Sequence, residues 1–299
     1  MPGKVCLVTG ATAGIGQVTA RELARRGATV VVAGRSPERC AATVEMIRRE
    51  TGSESVEALI ADLSSLAEVR RLASEFTARH RRLDVLINNA GALFELRRES
   101  ADGIEMTFAV NHLAPFLLTN LLLDTLKASA PARVIVVASG AHKDVQAFNF
   151  DDPEAKSDSY TASRGTSLLY TLAMPWKHPA FIQYAETKLA NLLFTYELAR
   201  RLAGSGVTAN ALHPGLVNSR FSAGAGVYTW FMRQMMRFFG ISVEEGAKTT
   251  IYLATSPEVA NVTGQYFIKE KPAESSPASH DRDAARRLWE LSERMTSTA

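Results

Sequence analysis

Two cysteines among 299 residues are too few for a disulfide framework. Both Cys6 and Cys40 stand in apolar surroundings, which predicts reduced core thiols. Charge of one sign is lacking as well. The 34 Lys and Arg against 31 Asp and Glu leave a formal net charge of +3. That excess is too small and too dispersed for a nucleic-acid-binding face. No apolar run is long enough to span a bilayer. The most apolar stretch beyond the N-terminus, Leu113 to Leu123, is broken by Pro115, Thr119 and Asn120. The opening Met1-Pro2-Gly3-Lys4 leads directly into Val5-Cys6-Leu7-Val8, a run too short for a signal peptide. The expectation is a soluble, cytoplasmic protein with no integral membrane segment. His80, His112, His142, His178, His213 and His280 show no metal-ligand spacing, so no metal is expected. Nothing repeats, and no Pro-, Gly- or Ser-rich linker divides the chain, so residues 1–299 read as one domain.

What is present is an alternation. Short β-branched runs at Val5–Thr9, Thr29–Ala33, Val56–Ala61, Val85–Asn88, Val134–Ser139 and Val207–Leu212 predict strands. Most are apolar throughout, as strands buried on both faces of a parallel sheet must be. Helical patterns lie between them, at Ile15–Arg26, Pro37–Glu50, Leu66–Arg81, His112–Ala128 and Tyr184–Ala203. This βα rhythm specifies a doubly wound α/β sheet. Two stretches interrupt it, Gly140–Gln183 and Arg220–Ile241. Connections this long in a compact domain are functional or partly structured. In the tail, Ala284, Leu288, Leu291 and Met295 recur at helical spacing, predicting a docked amphipathic helix over 281–297.

Three strings carry chemistry. Thr9-Gly10-Ala11-Thr12-Ala13-Gly14-Ile15-Gly16 follows the first strand and opens the first helix. Glycine there permits a tight turn and lets backbone N–H groups reach a phosphate, which the helix N-terminus favours. A plain turn is the plainer alternative. Arg35 follows Ala33-Gly34 at the end of the second strand, where an acidic residue would bind a ribose 2′-hydroxyl and an Arg accommodates a 2′-phosphate. Unless Arg35 is only a solvated charge, it favours NADP(H) over NAD(H). Tyr184-Ala185-Glu186-Thr187-Lys188 places Tyr and Lys on one helix face. A neighbouring ammonium favours the phenolate and lowers the tyrosine pKa, although an ordinary amphipathic helix explains the string equally well.

Taken together and in order, these strings resemble the short-chain dehydrogenase/reductase superfamily over essentially the whole chain. Asp62-Leu63, Asn88-Asn89-Ala90-Gly91, Asn111, Ser139 and Pro214-Gly215 complete the set. Within it the chain looks most like the retinol-dehydrogenase-like branch. The strings Val110-Asn111-His112-Leu113-Ala114-Pro115-Phe116, Lys188-Leu189-Ala190-Asn191 and Ala285-Arg286-Arg287-Leu288-Trp289 carry that likeness. The resemblance implies a Rossmann-type fold and a hydride-transfer enzyme. Tyr184 would be the acid or base, and Ser139 would hydrogen-bond the substrate oxygen. Lys188 would lower the Tyr184 pKa and bind the nicotinamide ribose. Asn111 would kink its helix and hold a water linking Lys188 to solvent. Asp62 and Leu63 would flank the adenine, Asn89, Ala90 and Gly91 the cofactor groove, and Pro214, Gly215, Val217 and Ser219 the nicotinamide, with Gly10, Thr12, Gly14, Ile15 and Gly16 on the phosphates.

The chain departs from the family in two ways. From its opening residues, no N-terminal anchor such as many retinol-dehydrogenase relatives have is expected. It also carries a long insertion, 140–183, between Ser139 and Tyr184, such as covers the usual helix–helix interface in some monomeric carbonyl reductases, so a monomer or a homodimer is expected. The family places a substrate-binding loop and lid over 219–243. There Tyr228, Trp230, Phe231, Met232, Met235, Met236, Phe238 and Phe239 crowd together. Apolar walls with soft Met side chains suit a bulky hydrophobic substrate. Tyr160, Tyr170, Trp176 and Phe181 of the insertion could form a second wall. These aromatics equally suit a core, a dimer surface or an interfacial helix, for which two arginines are a weak anchor. His112 and His213 read as structural, and His178 as an exposed loop residue or a substrate contact. The expected function is an NADP(H)-dependent oxidoreductase acting on a bulky apolar carbonyl or secondary alcohol. The alternatives are a specialised biosynthetic reductase or epimerase, a branch like the protochlorophyllide reductases, and a non-catalytic dinucleotide sensor.

Overall fold

The computed structural model describes residues 1–157, 175–218, 222–223 and 226–297. The apolar runs pair into one eight-stranded sheet. Its strands are β1 (Val5–Thr9), β2 (Thr29–Gly34), β3 (Val56–Ile60), β4 (Val85–Asn88), β6 (Ala132–Val137), β7 (Val207–His213), β9 (Tyr266–Ile268) and β10 (Lys271–Pro272). The order β10-β9-β7-β6-β4-β1-β2-β3 is parallel except for the final β9–β10 hairpin. Two short strands, β5 (Leu93–Phe94) and β8 (Ser222–Ala223), pair separately. The strand order reverses between β1 and β4, so a crevice opens outside the carboxyl ends of these neighbours.

Helices cover both faces. Along β1, Leu7 packs on one side, while Cys6 and Val8 pack on the other. The Leu7 side is covered by α3 (Leu66–Arg79), α5 (Ala114–Leu121), α7 (Pro179–Arg201) and α10 (Arg282–Ser297). The Cys6 side is covered by α1 (Gly14–Arg25), α2 (Pro37–Thr51) and α9 (Val243–Thr255). Cys6 and Cys40 are buried free thiols. The tail helix docks through Trp289, whose ring meets Phe116 edge-on at 5.0 Å and Phe194 at 5.9 Å. The Arg201 guanidinium lies 4.1 Å from its centre. Among the described residues no helix is long and apolar enough to cross a membrane.

The single helix expected over His112–Ala128 is in fact three pieces, the end of a π turn over Ala109–Leu113, α5, and α6 (Leu123–Ala128), with a short α4 (Met106–Phe108) leading in. Pro115 has no N–H to return to the Asn111 carbonyl, and the wider π turn takes up the break. The strand β9, the helix α9 and the β10 hairpin lie beyond the six expected βα repeats.

Candidate active site

The crevice at the strand-order reversal is a cleft of about 830 Å³. One end is built by the turn between β1 and α1. Gly10 and Gly14 take φ of 65° and 57°, the left-handed region that favours glycine. A Cβ on Gly16 would come within 2.4 Å of Asn89 Nδ2 and 2.6 Å of Gly10 O. The turn is therefore pressed against β4, and Asn89 Nδ2 ties it there by donating to Thr9 O at 2.8 Å. Thr9 Oγ1 accepts from the N–H groups of Asn89 and Ala90. The next two helices have serine caps, Ser36 for α2 and Ser65 for α3, but Ala13 offers α1 none. The first N–H groups of α1 thus face the cleft beside Thr12, Gly14 and Ile15, with no side chain among the described residues satisfying them.

Arg35 lines this end, exposed and without a hydrogen bond or ion pair to any described residue. Arg39, which the sequence reading missed, lies beside it on α2 and donates to Thr12 O at 3.4 Å. Asp62 and Leu63 line the same wall, and Asn89, Ala90 and Gly91 the floor. An uncapped helix N-terminus, a glycine cradle and two arginines form a donor set that fits a dinucleotide carrying an extra phosphate.

At the centre of the cleft stand Ser139, Tyr184 and Lys188. Ser139 lies two residues beyond β6 and caps a 3₁₀ turn over Gly140–Asp144, its Oγ accepting from Ala141 N at 3.2 Å. Tyr184 is hydrogen-bonded to that hydroxyl. Lys188, one turn along α7, donates from Nζ to Val137 O at 3.0 Å. Burial pushes the Tyr184 phenol up to about 12, and the Ser139 hydrogen bond pulls it only partly back. The sequence reading expects Lys188 to lower that pKa. Here the ammonium turns to a backbone carbonyl and lies 5.5 Å from the centre of the phenol ring, and burial holds it down to about 8. A phenol that keeps its proton at neutral pH can donate it to an oxygen.

Asn111 does not line the cleft. Its side chain is spent on the protein, accepting from Ala92 N at 2.8 Å and donating to Ala92 O at 2.9 Å and Thr187 Oγ1 at 3.1 Å. It pins the β4–β5 link to α7 just behind Gly91, where a Cβ would lie 3.4 Å from Lys188 Nζ. Pro214, Gly215 and Val217 line the cleft beyond β7, and Leu216 joins them. Ser219 lies outside the described residues, as do Tyr160 and Tyr170.

The far end is apolar. Helix α8 (Val227–Phe239) turns Met232, Met235 and Met236 into the cleft, opposite Phe94, Met106 and Phe181. Tyr228 is buried instead in the core beneath, stacked on His178 with ring centres 4.2 Å apart. His178 is thus a buried cap of α7 rather than an exposed loop residue, and its Nδ1 accepts from Ala180 N at 3.2 Å. Trp230, Phe238 and Phe239 face outward, 59%, 76% and 77% exposed, and Trp176 is exposed too. A second feature absent from the sequence reading positions α8. Glu95 accepts from Tyr228 N and Thr229 N, both at 3.2 Å, capping the helix from the loop after β5.

The sequence pattern of the short chain dehydrogenase family matches residues 4–165. Retinol dehydrogenase 13 of Homo sapiens is 41% identical over 300 residues, spanning 99% of this chain and 85% of that protein. An uncharacterized protein from Mycobacterium paratuberculosis has a solved structure matching with a TM-score of 0.73 at 33% identity, over 99% of this chain and 94% of that one. The Pseudomonas aeruginosa RhlG/NADP active-site complex matches with a TM-score of 0.66 at 28% identity, over 89% and 94%.

Proposed function

Because the chain belongs to the short-chain dehydrogenase family, in its retinol-dehydrogenase-like branch, and is thereby a dehydrogenase or reductase, we propose that it is an NADP(H)-dependent oxidoreductase. Its substrate would be a bulky apolar carbonyl or the corresponding secondary alcohol. The observation that carries this reading is the hydrogen-bonded Ser139–Tyr184 pair, set between a phosphate-ready turn and a Met-lined apolar end of one cleft. NADPH, when bound, supplies the hydride. Gly10 to Gly16 and the uncapped α1 N-terminus hold its pyrophosphate, Arg35 and Arg39 its 2′-phosphate, and Pro214 to Val217 its nicotinamide end. Ser139 Oγ donates to the substrate oxygen and stabilises charge developing there. Tyr184 gives its proton to that oxygen as the carbonyl carbon is reduced, and takes it back in oxidation.

The test is NADPH consumption against aldehydes and bulky ketones, with wild type and Tyr184→Phe compared and NADH run in parallel. Turnover that prefers NADPH, favours bulky apolar ketones and disappears in Tyr184→Phe is the expected result. Tight NADPH binding with no turnover on any carbonyl would overturn the reductase reading in favour of a dinucleotide sensor.

A further inference from the structure

The peptide group that follows Ser139 is gripped at both ends by histidines. Its carbonyl, Ser139 O, accepts from His142 Nδ1 at 2.6 Å. Its N–H, that of Gly140, donates to His213 Nδ1 at 3.0 Å. His142 lies in the 3₁₀ turn after β6, and His213 is the last residue of β7.

The partners assign both tautomers. A carbonyl oxygen can only accept, so His142 carries its hydrogen on Nδ1. Its Nε2 is then a lone pair, which accepts from Ser276 N at 3.0 Å. A backbone N–H can only donate, so His213 Nδ1 is bare and its hydrogen sits on Nε2. Both rings are neutral in this arrangement. Burial favours that state: it lowers the His142 pKa and pushes His213 down to about 4. His142 is wholly buried, with its ring edge-on to Tyr266.

The grip has a consequence for Ser139. The gripped peptide opens the 3₁₀ turn over Gly140–Asp144, and that turn sets where the N–H of Ala141 points. Ala141 N donates to Ser139 Oγ at 3.2 Å. With Oγ accepting there, the hydroxyl hydrogen is directed elsewhere, towards Tyr184 and a substrate oxygen. We propose that His142 and His213 are positioning residues which clamp the Ser139–Gly140 peptide and so hold the Ser139 hydroxyl as a donor, with the Ser276 N–H holding His142 in register. The C-terminal segment is by this route part of the site. Ser275, next to Ser276, is anchored through Tyr196 Oη at 2.7 Å and Ser279 Oγ at 2.7 Å.

This inference rests on Ser139 serving the substrate oxygen, and its test has one readout that does not need turnover. Nitrogen-15 NMR of histidine-labelled protein should show His142 as the Nδ1–H tautomer and His213 as the Nε2–H tautomer. The opposite tautomer at either ring overturns the clamp, whether or not the protein reduces any carbonyl. Kinetics then test what the clamp does. His142→Leu should lower kcat for ketone reduction about tenfold or more, as a displaced donor does, with the Kd for NADPH unchanged. His142→Asn, which can still donate to Ser139 O, should recover part of that loss. Ser276→Pro removes the N–H that His142 Nε2 accepts, along with a hydroxyl that has no hydrogen-bond partner among the described residues, at a φ of −66° that proline adopts, and should lower kcat alone. Folded His142→Leu protein that binds NADPH and keeps the wild-type kcat would overturn the positioning role. Should Ser276→Pro misfold, His142→Leu and the tautomers still decide.

Discussion

Lys188 Nζ lies 5.5 Å from the centre of the Tyr184 ring and is hydrogen-bonded to Val137 O. That placement gives the reaction a pH dependence whose sign can be worked out. Burial brings Lys188 down to about 8, so its charge is full below that pH and lost above it. A charged ammonium favours the phenolate that Tyr184 becomes when it gives up its proton. Carbonyl reduction should therefore fall as pH rises through about 8. Alcohol oxidation needs Tyr184 deprotonated, and burial holds that phenol up at about 12, so oxidation should climb throughout the alkaline range. Lys188→Arg stays charged across this range and should lose the alkaline fall in reduction, at a lower kcat. Lys188→Met should lower kcat by about 100-fold, in keeping with the loss of acid–base support. Rate profiles for the three proteins in both directions check this, and an alkaline fall that persists in Lys188→Arg would assign it to another group.

Arg35 and Arg39 should together set cofactor choice. A charge-assisted hydrogen bond is worth about 1.5–3 kcal/mol, so Arg35→Ser should lower kcat/KM for NADPH by roughly 10- to 100-fold. The value for NADH should barely change, since it lacks the 2′-phosphate. Arg39 also donates to Thr12 O, so Arg39→Ser should show a smaller loss. An Arg35→Ser/Arg39→Ser protein with the wild-type NADPH to NADH ratio would place the 2′-phosphate contact elsewhere.

Much of this was legible in the sequence, for a physical reason. Buried parallel strands need unbroken apolar runs, and the predicted Val5–Thr9 and Val85–Asn88 match the observed bounds. Gly10, Arg35, Ser139, Tyr184 and Lys188 sit at strand ends or on one helix face, where local spacing fixes their place. What escaped depends on contacts distant in sequence. Nothing local marks Glu95 as the cap of a helix 132 positions later, nor His142 as a partner of Ser276. His178 reads as a loop residue in the sequence because its stacking partner, Tyr228, lies 50 positions away. The break before α5 was signalled by Pro115, whose missing N–H forbids the regular turn there.

Glu95 should control how the apolar end closes. It supplies both an acceptor and a negative charge to the first turn of α8, together worth about 1 kcal/mol. Gly226 is matched to it, since a Cβ there would fall 2.0 Å from Glu95 Oε1. Glu95→Ala should therefore loosen α8 and raise KM for bulky ketones severalfold, while small aldehydes, which need fewer contacts with Met232 and Met236, change little. Steady-state kinetics on a matched large and small substrate give the ratio. An unchanged ratio in folded Glu95→Ala protein would show that α8 is positioned without this cap.

Asp84 should tie stability to acid. Its carboxylate, buried just before β4, accepts from Lys4 Nζ at 2.8 Å, Arg82 Nε and Nη2 at 2.8 and 2.6 Å, and Val5 N at 2.9 Å. Burial opposes its ionisation, but the hydrogen bonds from Arg82, Lys4 and Val5 outweigh burial and hold the pKa below the usual carboxylate value. A pKa lower in the folded than in the unfolded state gives stability that is present above the unfolded value and lost as pH falls through the folded one. Both cationic partners are more than a third exposed, so solvent screens the pairing. The larger cost of removal is the orphaned Val5 N–H at the edge of β1. Asp84→Ala should cost about 1–3 kcal/mol at neutral pH. Asp84→Asn, which keeps an acceptor for Val5 N, should cost less and flatten the loss of stability in acid. Urea unfolding of the three proteins at neutral and acidic pH separates the two effects. If Asp84→Asn lost stability on acidification as steeply as wild type, the acid sensitivity would belong to another carboxylate.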